Sequence, residues 1–277
     1  MTLRLGLIGA GIGQSRMPRL QRHLGWLCGI EVAYELIDVK GCTAPDFDEA
    51  VQFAIDAGFA GVNVTHPFKQ CAWERFAQPS SAGPGAFNTL TFGSDGVLGF
   101  NTDCSGFISA FRRRLDTAAP GTVLLLGAGG VGCAAAFALS RLGAREILIY
   151  DACLQQAQQL AVALAPQGRC IVVSSLAEMY ARAPGVDGLA NCTPVGMHAH
   201  AGTPLPNEFI GTQRWAFDAV YTPAQTQFLR RCQDVGVTSI AGYDLWIHQG
   251  LDAFEIFTGV KLALDEALSA ETKSWLE

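Results

Sequence analysis

Lysine is scarce in this chain. Only four occur in 277 residues (Lys40, Lys69, Lys261 and Lys273), and charged residues make up 16% of the total. The net charge is −6 and no basic run exceeds Arg112-Arg113-Arg114. The electrostatic footprint of a nucleic-acid binder is therefore missing, and no such partner is expected. Nothing approaches the run of about 20 apolar residues that a membrane span requires. Met1-Thr2-Leu3-Arg4 passes directly into a short, glycine-broken apolar run, which does not fit a secretory leader. The nine cysteines (28, 42, 71, 104, 133, 153, 170, 192 and 232) are odd in number, dispersed and never spaced Cys-x-x-Cys. That argues against a disulfide framework and a cysteine zinc site, and predicts buried, reduced thiols in a cytoplasmic protein with no metal.

What is present is an ordinary globular composition, 49% apolar, over a length that suggests two domains. The first stretch alternates strand and helix: strand 3–8, helix 18–27, strand 31–39, helix 46–57, strand 61–64, helix 67–76. A Pro/Ser/Gly-rich loop, 78–85, leads to a hairpin of strands 87–92 and 97–100 turned by Gly93-Ser94-Asp95-Gly96. Helix 104–115 bridges to a second α/β alternation: strand 122–126, helix 131–142, strand 146–150, helix 152–164, then strands 170–173, 187–191, 215–219 and 237–240 with helices 175–181 and 224–233. The expected fold is two-domain α/β. Residues 1–104 form a mostly parallel substrate-binding domain, completed by C-terminal helices over 245–277, and 105–244 form a Rossmann dinucleotide-binding domain.

The second alternation carries the strongest motif. Val123-Leu124-Leu125-Leu126 reads as a buried parallel strand, followed by Gly127-Ala128-Gly129-Gly130-Val131-Gly132 and a helix. Gly127 permits the tight turn, Gly129 lets the backbone approach a pyrophosphate, and Gly132 lets the helix pack against the strand. The pyrophosphate then sits at a helix N-terminus. Asp151 ends the next strand, about 20 residues beyond the last glycine, where the fingerprint places its acid. A carboxylate there accepts from ribose hydroxyls, whereas a 2′-phosphate needs an arginine, and 152–156 offer none. NAD is therefore favoured over NADP. The competing reading makes Asp151 a helix N-cap.

Lys69 follows the strand-like Gly61-Val62-Asn63-Val64 and Thr65-His66-Pro67-Phe68. Pro67 suits a first helical turn, which puts Lys69 at a strand's C-terminal end, the crevice position where α/β sheets bind ligands. It reads equally as a surface lysine. Asn101-Thr102-Asp103 also follows a strand end, and stands either as site residues or as an N-cap; Asn88-Thr89 stands as site residues or an Asx turn. Together these residues place Asn, Lys and Asp side chains around one crevice.

Taken with Gly6-Leu7-Ile8-Gly9, Ser15-x-x-Pro18, Asn63-Val64-Thr65-x-Pro67-Phe68-Lys69, Ala86-Phe87-Asn88-Thr89, Gly99-Phe100-Asn101-Thr102-Asp103-x-x-Gly106, the glycine loop, Asn191-x-Thr193-Pro194-x-Gly196-Met197, Asp218-x-x-Tyr221-x-Pro223 and Gln249-Gly250-x-x-x-Phe254, the chain resembles the shikimate dehydrogenase family. With His66, Gly-x-Gly-Gln before Ser15, and Asp151, it is most similar to the NAD-using quinate/shikimate branch. The resemblance implies Lys69 and Asp103 as the catalytic pair. It implies Thr65, Asn88, Asp103 and Gln249 on the ring hydroxyls, Ser15 on the substrate carboxylate, and Tyr221 nearby. Thr193, Val195, Gly196 and Gly242 would lie on the nicotinamide side. The implied partner is a small cyclic hydroxy acid, with the chain a monomer or homodimer.

Two positions depart from the family pattern. Met17 stands where relatives have a second carboxylate-binding hydroxyl, which predicts a weaker hold on the acid unless Arg16 compensates. Gly242-Tyr243-Asp244-Leu245 replaces the usual Gly-Gly-Gly-Met with bulkier residues. The alternative function is a catalytically weak, ligand-sensing homologue; the presence of both Lys69 and Asp103 favours the enzyme.

Overall fold

The computed structural model describes residues 2–78 and 83–275, so the loop predicted over 78–85 lies partly outside the described residues. The chain forms two compact units, Met1–Thr102 with Gln249–Leu264, and Asp103–His248 with Asp265–Glu277.

The first unit contains β1 (Leu3–Gly9), α1 (Met17–Leu27), β2 (Val32–Asp38), α2 (Ala44–Asp56), β3 (Gly61–Val64), α3 (Lys69–Phe76), β4 (Thr89–Gly93) and β5 (Gly96–Phe100). Its sheet runs β2-β1-β3-β4-β5, parallel as far as β3 and antiparallel beyond. The predicted hairpin is present, but Gly93 pairs with Gly96, so its loop is Ser94-Asp95 alone. α2 presents Phe47, Ala50, Val51 and Ala54 at helical spacing to a core that includes Ile8, Val62, Val64 and Phe68. Thr43 and Asp46 close a capping box at its start.

The second unit opens within α4 (Thr102–Leu115) and continues through β6 (Thr122–Leu126), α5 (Gly130–Arg141), β7 (Glu146–Tyr150), α6 (Leu154–Leu164), β8 (Cys170–Val172), α7 (Leu176–Arg182), β9 (Gly188–Asn191), β10 (Trp215–Asp218), α8 (Gln227–Asp234) and β11 (Thr238–Ile240). Two helices follow, α9 (Gly242–Thr258) and α10 (Glu266–Ser274). All six strands are parallel, in the order β11-β10-β9-β6-β7-β8. Helices cover both faces, so Val123–Leu126 of β6 are all apolar: Val123 and Leu125 join Phe107, Phe137 and Phe217, while Leu124 and Leu126 join Leu189 and Phe228. The strand order reverses between β6 and β9. Ligands of doubly wound sheets bind at such a switch point, beyond the strand C-termini.

Three expectations are corrected. The C-terminal helices expected over 245–277 do not both complete the first domain: α9 starts at Gly242, the chain leaves it through Gly259 at φ +72°, and Asp265 caps α10. α10 belongs to the second unit, where the Tyr243 hydroxyl meets Thr272 Oγ1 at 2.8 Å. Pro67 is not in a first helical turn, because the Phe68 N–H closes a tight turn onto Thr65 O and α3 begins only at Lys69. Of the cysteines, all free thiols, only Cys104 and Cys232 are buried, and Cys42 and Cys153 are exposed. Among the described residues no helix is long and apolar enough to cross a membrane, and no cluster of His, Cys, Asp or Glu could hold a metal ion.

Candidate active site

In the first unit the polar side chains gather where β4 begins and α4 starts. Asn88 is buried, and its Oδ1 accepts from the Thr102 N–H (2.7 Å) while its Nδ2 donates to Thr102 Oγ1 (3.0 Å) and Gln249 Oε1 (3.4 Å). Thr102 Oγ1 lies 3.4 Å from the same Gln249 oxygen. Beneath them Asn63, also buried, accepts from the Tyr34 hydroxyl (2.8 Å) and donates to Thr89 Oγ1 (3.0 Å) and Asn88 O (3.4 Å). Burial pushes the Tyr34 hydroxyl's pKa well above its ordinary value, so it stays a neutral donor. Buried polar groups need such partners, and this set stiffens the ring around Asn88.

Lys69 is half-buried at the first position of α3, and its carbonyl accepts from the Phe87 N–H (2.9 Å). The lysine is thus tied to the segment that carries Asn88. A helix N-terminus disfavours a cation, so the dipole of α3 does not account for Lys69 there. The Thr65 N–H donates to Ile8 O (2.9 Å). Ser15 Oγ accepts from the Met17 N–H (3.3 Å) and opens on a cavity of about 520 Å³, lined also by Arg16, Arg19, Arg22 and Tyr34. Met17 does not line it. Its side chain is buried, with Sδ 3.5 Å from Gln21 Nε2, on the face of α1 that meets Gly250.

In the second unit, Asp103 is 5% exposed and lies in the first turn of α4, where the helix dipole favours a carboxylate. Gly127 leaves β6 at φ +94°, in the left-handed region, and a Cβ on Gly132 would overlap Gly127 O. Both glycines therefore have the geometric roles predicted for them. Gly129 is the N-cap of α5 with no side-chain cap, and a Cβ added to it would meet nothing within 4 Å. Ala128, Gly130 and Val131 complete this turn. The loop opens on a cavity of about 440 Å³ lined by Gly127, Gly129, Asp151, Gln156, Thr193 and Val195 among others, with no lysine or arginine in its lining. Asp151 Oδ2 accepts from the Ala128 N–H and Oδ1 from the Cys153 N–H, both at 2.7 Å. It is not the N-cap of α6, since Cys153 occupies that place. Each oxygen keeps a lone pair for further hydroxyls. An uncapped helix N-terminus, open space at Gly129 and an acid at the next strand end fit a dinucleotide.

Gly196 has φ +110°, and Asn191 holds the loop it stands on. The Tyr221 ring stacks on Trp246 at 6.5 Å. A Cβ on Gly242 would collide with the carbonyls of Ala219 and Val220, so its place in the structure is one of close packing. The departures at 243–244 are anchors: the buried Tyr243 hydroxyl donates to Ser269 O (3.1 Å), and buried Asp244 pairs with Arg114 at 3.2 Å.

Thr102 is expected from the sequence as a site residue or a helix cap, while Arg19 and Arg22 are not among the expected site residues. Their signal was the spacing of 16, 19 and 22, one face of a helix. Asn63 carried no signal beyond a polar residue inside a buried strand.

A doubly wound parallel sheet with a glycine loop at its switch point, in a chain whose other α/β unit carries a polar cluster at its strand ends, defines a dinucleotide-binding oxidoreductase class. Residues 7–90 match the shikimate dehydrogenase substrate binding domain. The chain is 38% identical to the shikimate dehydrogenase (NADP(+)) of Streptomyces avermitilis, covering 92% of this chain and 90% of that one. It is 36% identical to the quinate/shikimate dehydrogenase (NAD(+)) of Corynebacterium efficiens, covering 94% of each. The structure of quinate dehydrogenase from Corynebacterium glutamicum in complex with NAD superposes with a TM-score of 0.89 at 32% identity, covering 99% of both chains. The chain belongs to the shikimate dehydrogenase family.

Proposed function

We propose that this chain is an NAD-preferring dehydrogenase that reversibly oxidises one ring hydroxyl of shikimate, quinate or a close cyclic hydroxy acid to the ketone. The observation that carries the cofactor preference is Asp151, which lines the nucleotide cavity with no arginine or lysine beside it in that lining. A 2′-phosphate there would meet only negative charge. When bound, the nucleotide supplies the hydride acceptor and the protein supplies orientation.

Lys69 transfers the proton of the reacting hydroxyl, with Asp103 as its acidic partner in catalysis. Thr65, Asn88 and Gln249 hold the ring hydroxyls, and the mutual hydrogen bonds of Asn88 and Gln249 pre-orient their amides for that task. Ser15 binds the carboxylate. Its oxygen is already accepting from Met17, which leaves the hydroxyl hydrogen to donate. Arg16, on the same cavity, supplies the charge-assisted contact in place of a second hydroxyl. The backbone of Thr193, Val195 and Gly196 frames the nicotinamide, with Tyr221 and Gly242 on the same unit.

Initial rates of NADH formation with shikimate, quinate and related cyclic acids, run in parallel with NADP, test this reading. Faster turnover with NADP at equal low concentration refutes the NAD preference. Binding of acid and nucleotide without turnover refutes the enzyme and favours a sensor.

A further inference from the structure

Asp218 is a fully buried carboxylate to which the proposed chemistry gives no task. It ends β10 in register with Asn191, which ends β9. Its Oδ1 accepts from Asn191 Nδ2 (2.9 Å) and from the Val220 N–H (3.1 Å), and its Oδ2 accepts from Thr226 Oγ1 (2.6 Å). Asn191, also fully buried, uses its second amide hydrogen on Val195 O (3.0 Å). Its oxygen receives Thr193 Oγ1 (2.6 Å) and the Thr193 N–H (3.1 Å), and Thr193 Oγ1 in turn accepts from the Val195 N–H (3.2 Å).

The directions of these bonds follow from one group. An ionised carboxylate only accepts, so the Asn191 atom facing Asp218 must be the amide nitrogen. With the nitrogen fixed there, Val195 O meets a donor and Thr193 meets an acceptor. Were the amide reversed, oxygen would face the Val195 carbonyl and the Asp218 carboxylate, and the bonds to Thr193 would be lost. The loop 193–196 would lose its side-chain supports at once. The Val220 N–H, one residue before Tyr221, is held by the same oxygen.

We propose that Asp218 is a positioning residue that fixes the amide orientation of Asn191 and thereby shapes loop 193–196 into the seat for the pyridine ring of the nucleotide. This rests on the reading of Thr193, Val195 and Gly196 as the nicotinamide side of the site. The buried charge is costly, as the acid's elevated pKa of about 6 shows. A merely structural position would be filled more cheaply by an apolar or amide side chain.

The experiment compares two ligands that differ only beyond the ADP-ribose part. Equilibrium binding of NAD and of ADP-ribose is measured by calorimetry on wild type and on Asp218→Leu, which keeps a similar shape and removes the acceptor that faces Asn191 Nδ2 and the Val220 N–H. Asp218→Leu is expected to weaken NAD about tenfold or more, the scale of lost hydrogen bonds. ADP-ribose, held by the glycine loop and Asp151, is expected to stay within about twofold. Thr193→Val, which removes the hydroxyl between Asn191 and Val195, is expected to act in the same direction and serves should Asp218→Leu not fold. Equal weakening of both ligands, or no weakening of NAD in either variant, overturns the proposal and leaves the nucleotide reading standing. Failure of wild type to bind either ligand overturns both.

Discussion

The Nδ2 of Asn88 lies 3.4 Å from Oε1 of Gln249, across 161 residues of sequence, with Thr102 Oγ1 in reach of both. The two amides hold each other in place at the end of a sheet, with Asn63 and Tyr34 bracing Asn88 from below. Replacing Gln249 by Leu keeps the volume and removes the acceptor. Expected is a rise of about tenfold or more in KM for the acid, the value of one or two hydrogen bonds, with NAD affinity unchanged. Steady-state kinetics check it, and an unchanged KM shows that the cluster is only structural.

Lys69→Ala is expected to lower kcat by about 10² to 10⁴, the usual contribution of a proton-transfer group. The lysine side chain makes no part of the core around α3, so thermal unfolding should change little. A variant that keeps near-full kcat shows a surface lysine.

Asp151→Ala removes both the proposed ribose acceptor and the acceptor of the Ala128 and Cys153 N–H groups. NAD should bind more weakly, and the discrimination against NADP should shrink. Asp151→Asn is expected to relieve repulsion of the 2′-phosphate while keeping an acceptor for one backbone N–H. The ratio of kcat/KM for the two nucleotides decides the matter.

Met17 and Arg16 separate two meanings of one departure from the family pattern. Because Met17 is buried on the face of α1 that meets Gly250, Met17→Thr is expected to destabilise by about 2–4 kcal/mol, the cost of emptying a core position and burying a hydroxyl. Arg16 is exposed on the cavity with Ser15. Arg16→Ala should raise KM for a substrate acid and leave its methyl ester unaffected. Equal effects on acid and ester would remove Arg16 from carboxylate binding.

Asp218 makes stability depend on pH. Burial raises its carboxyl from 3.8 to about 6, against the hydrogen bonds from Thr226, Val220 and Asn191 that lower it. The Cys192 and Cys232 thiols that face it are pushed upward in turn and stay neutral in this range. The folded state therefore holds a proton that the unfolded chain has released. Its contribution is complete below pH 4 and is lost as pH rises through about 6, some 3 kcal/mol at about 1.4 kcal/mol per pH unit. Asp218→Asn should abolish this fall. Denaturant titrations of the two proteins between pH 4 and 7 test the sign.

Local chemistry carried much of this protein into view. The apolar run 123–126, the glycines at 127, 129 and 132 and the acid at 151 act within one βαβ unit. Backbone geometry there depends on near neighbours, so the turn at Gly127 and the close contact at Gly132 follow from residue type alone. The hairpin around Ser94-Asp95 was legible for the same reason. The division of the C-terminus was not. The helices expected over 245–277 read alike as cover for the first domain, and the docking of Tyr243 on Ser269 and Thr272 is what ties α10 to the second unit. Nor does any periodicity bring Asn88 to Gln249, Asn63 to Tyr34, or Asp218 to Asn191. Each pair meets because strands or helices distant in sequence are packed side by side, and a buried amide or carboxylate takes its role from whichever donors and acceptors the packing sets beside it.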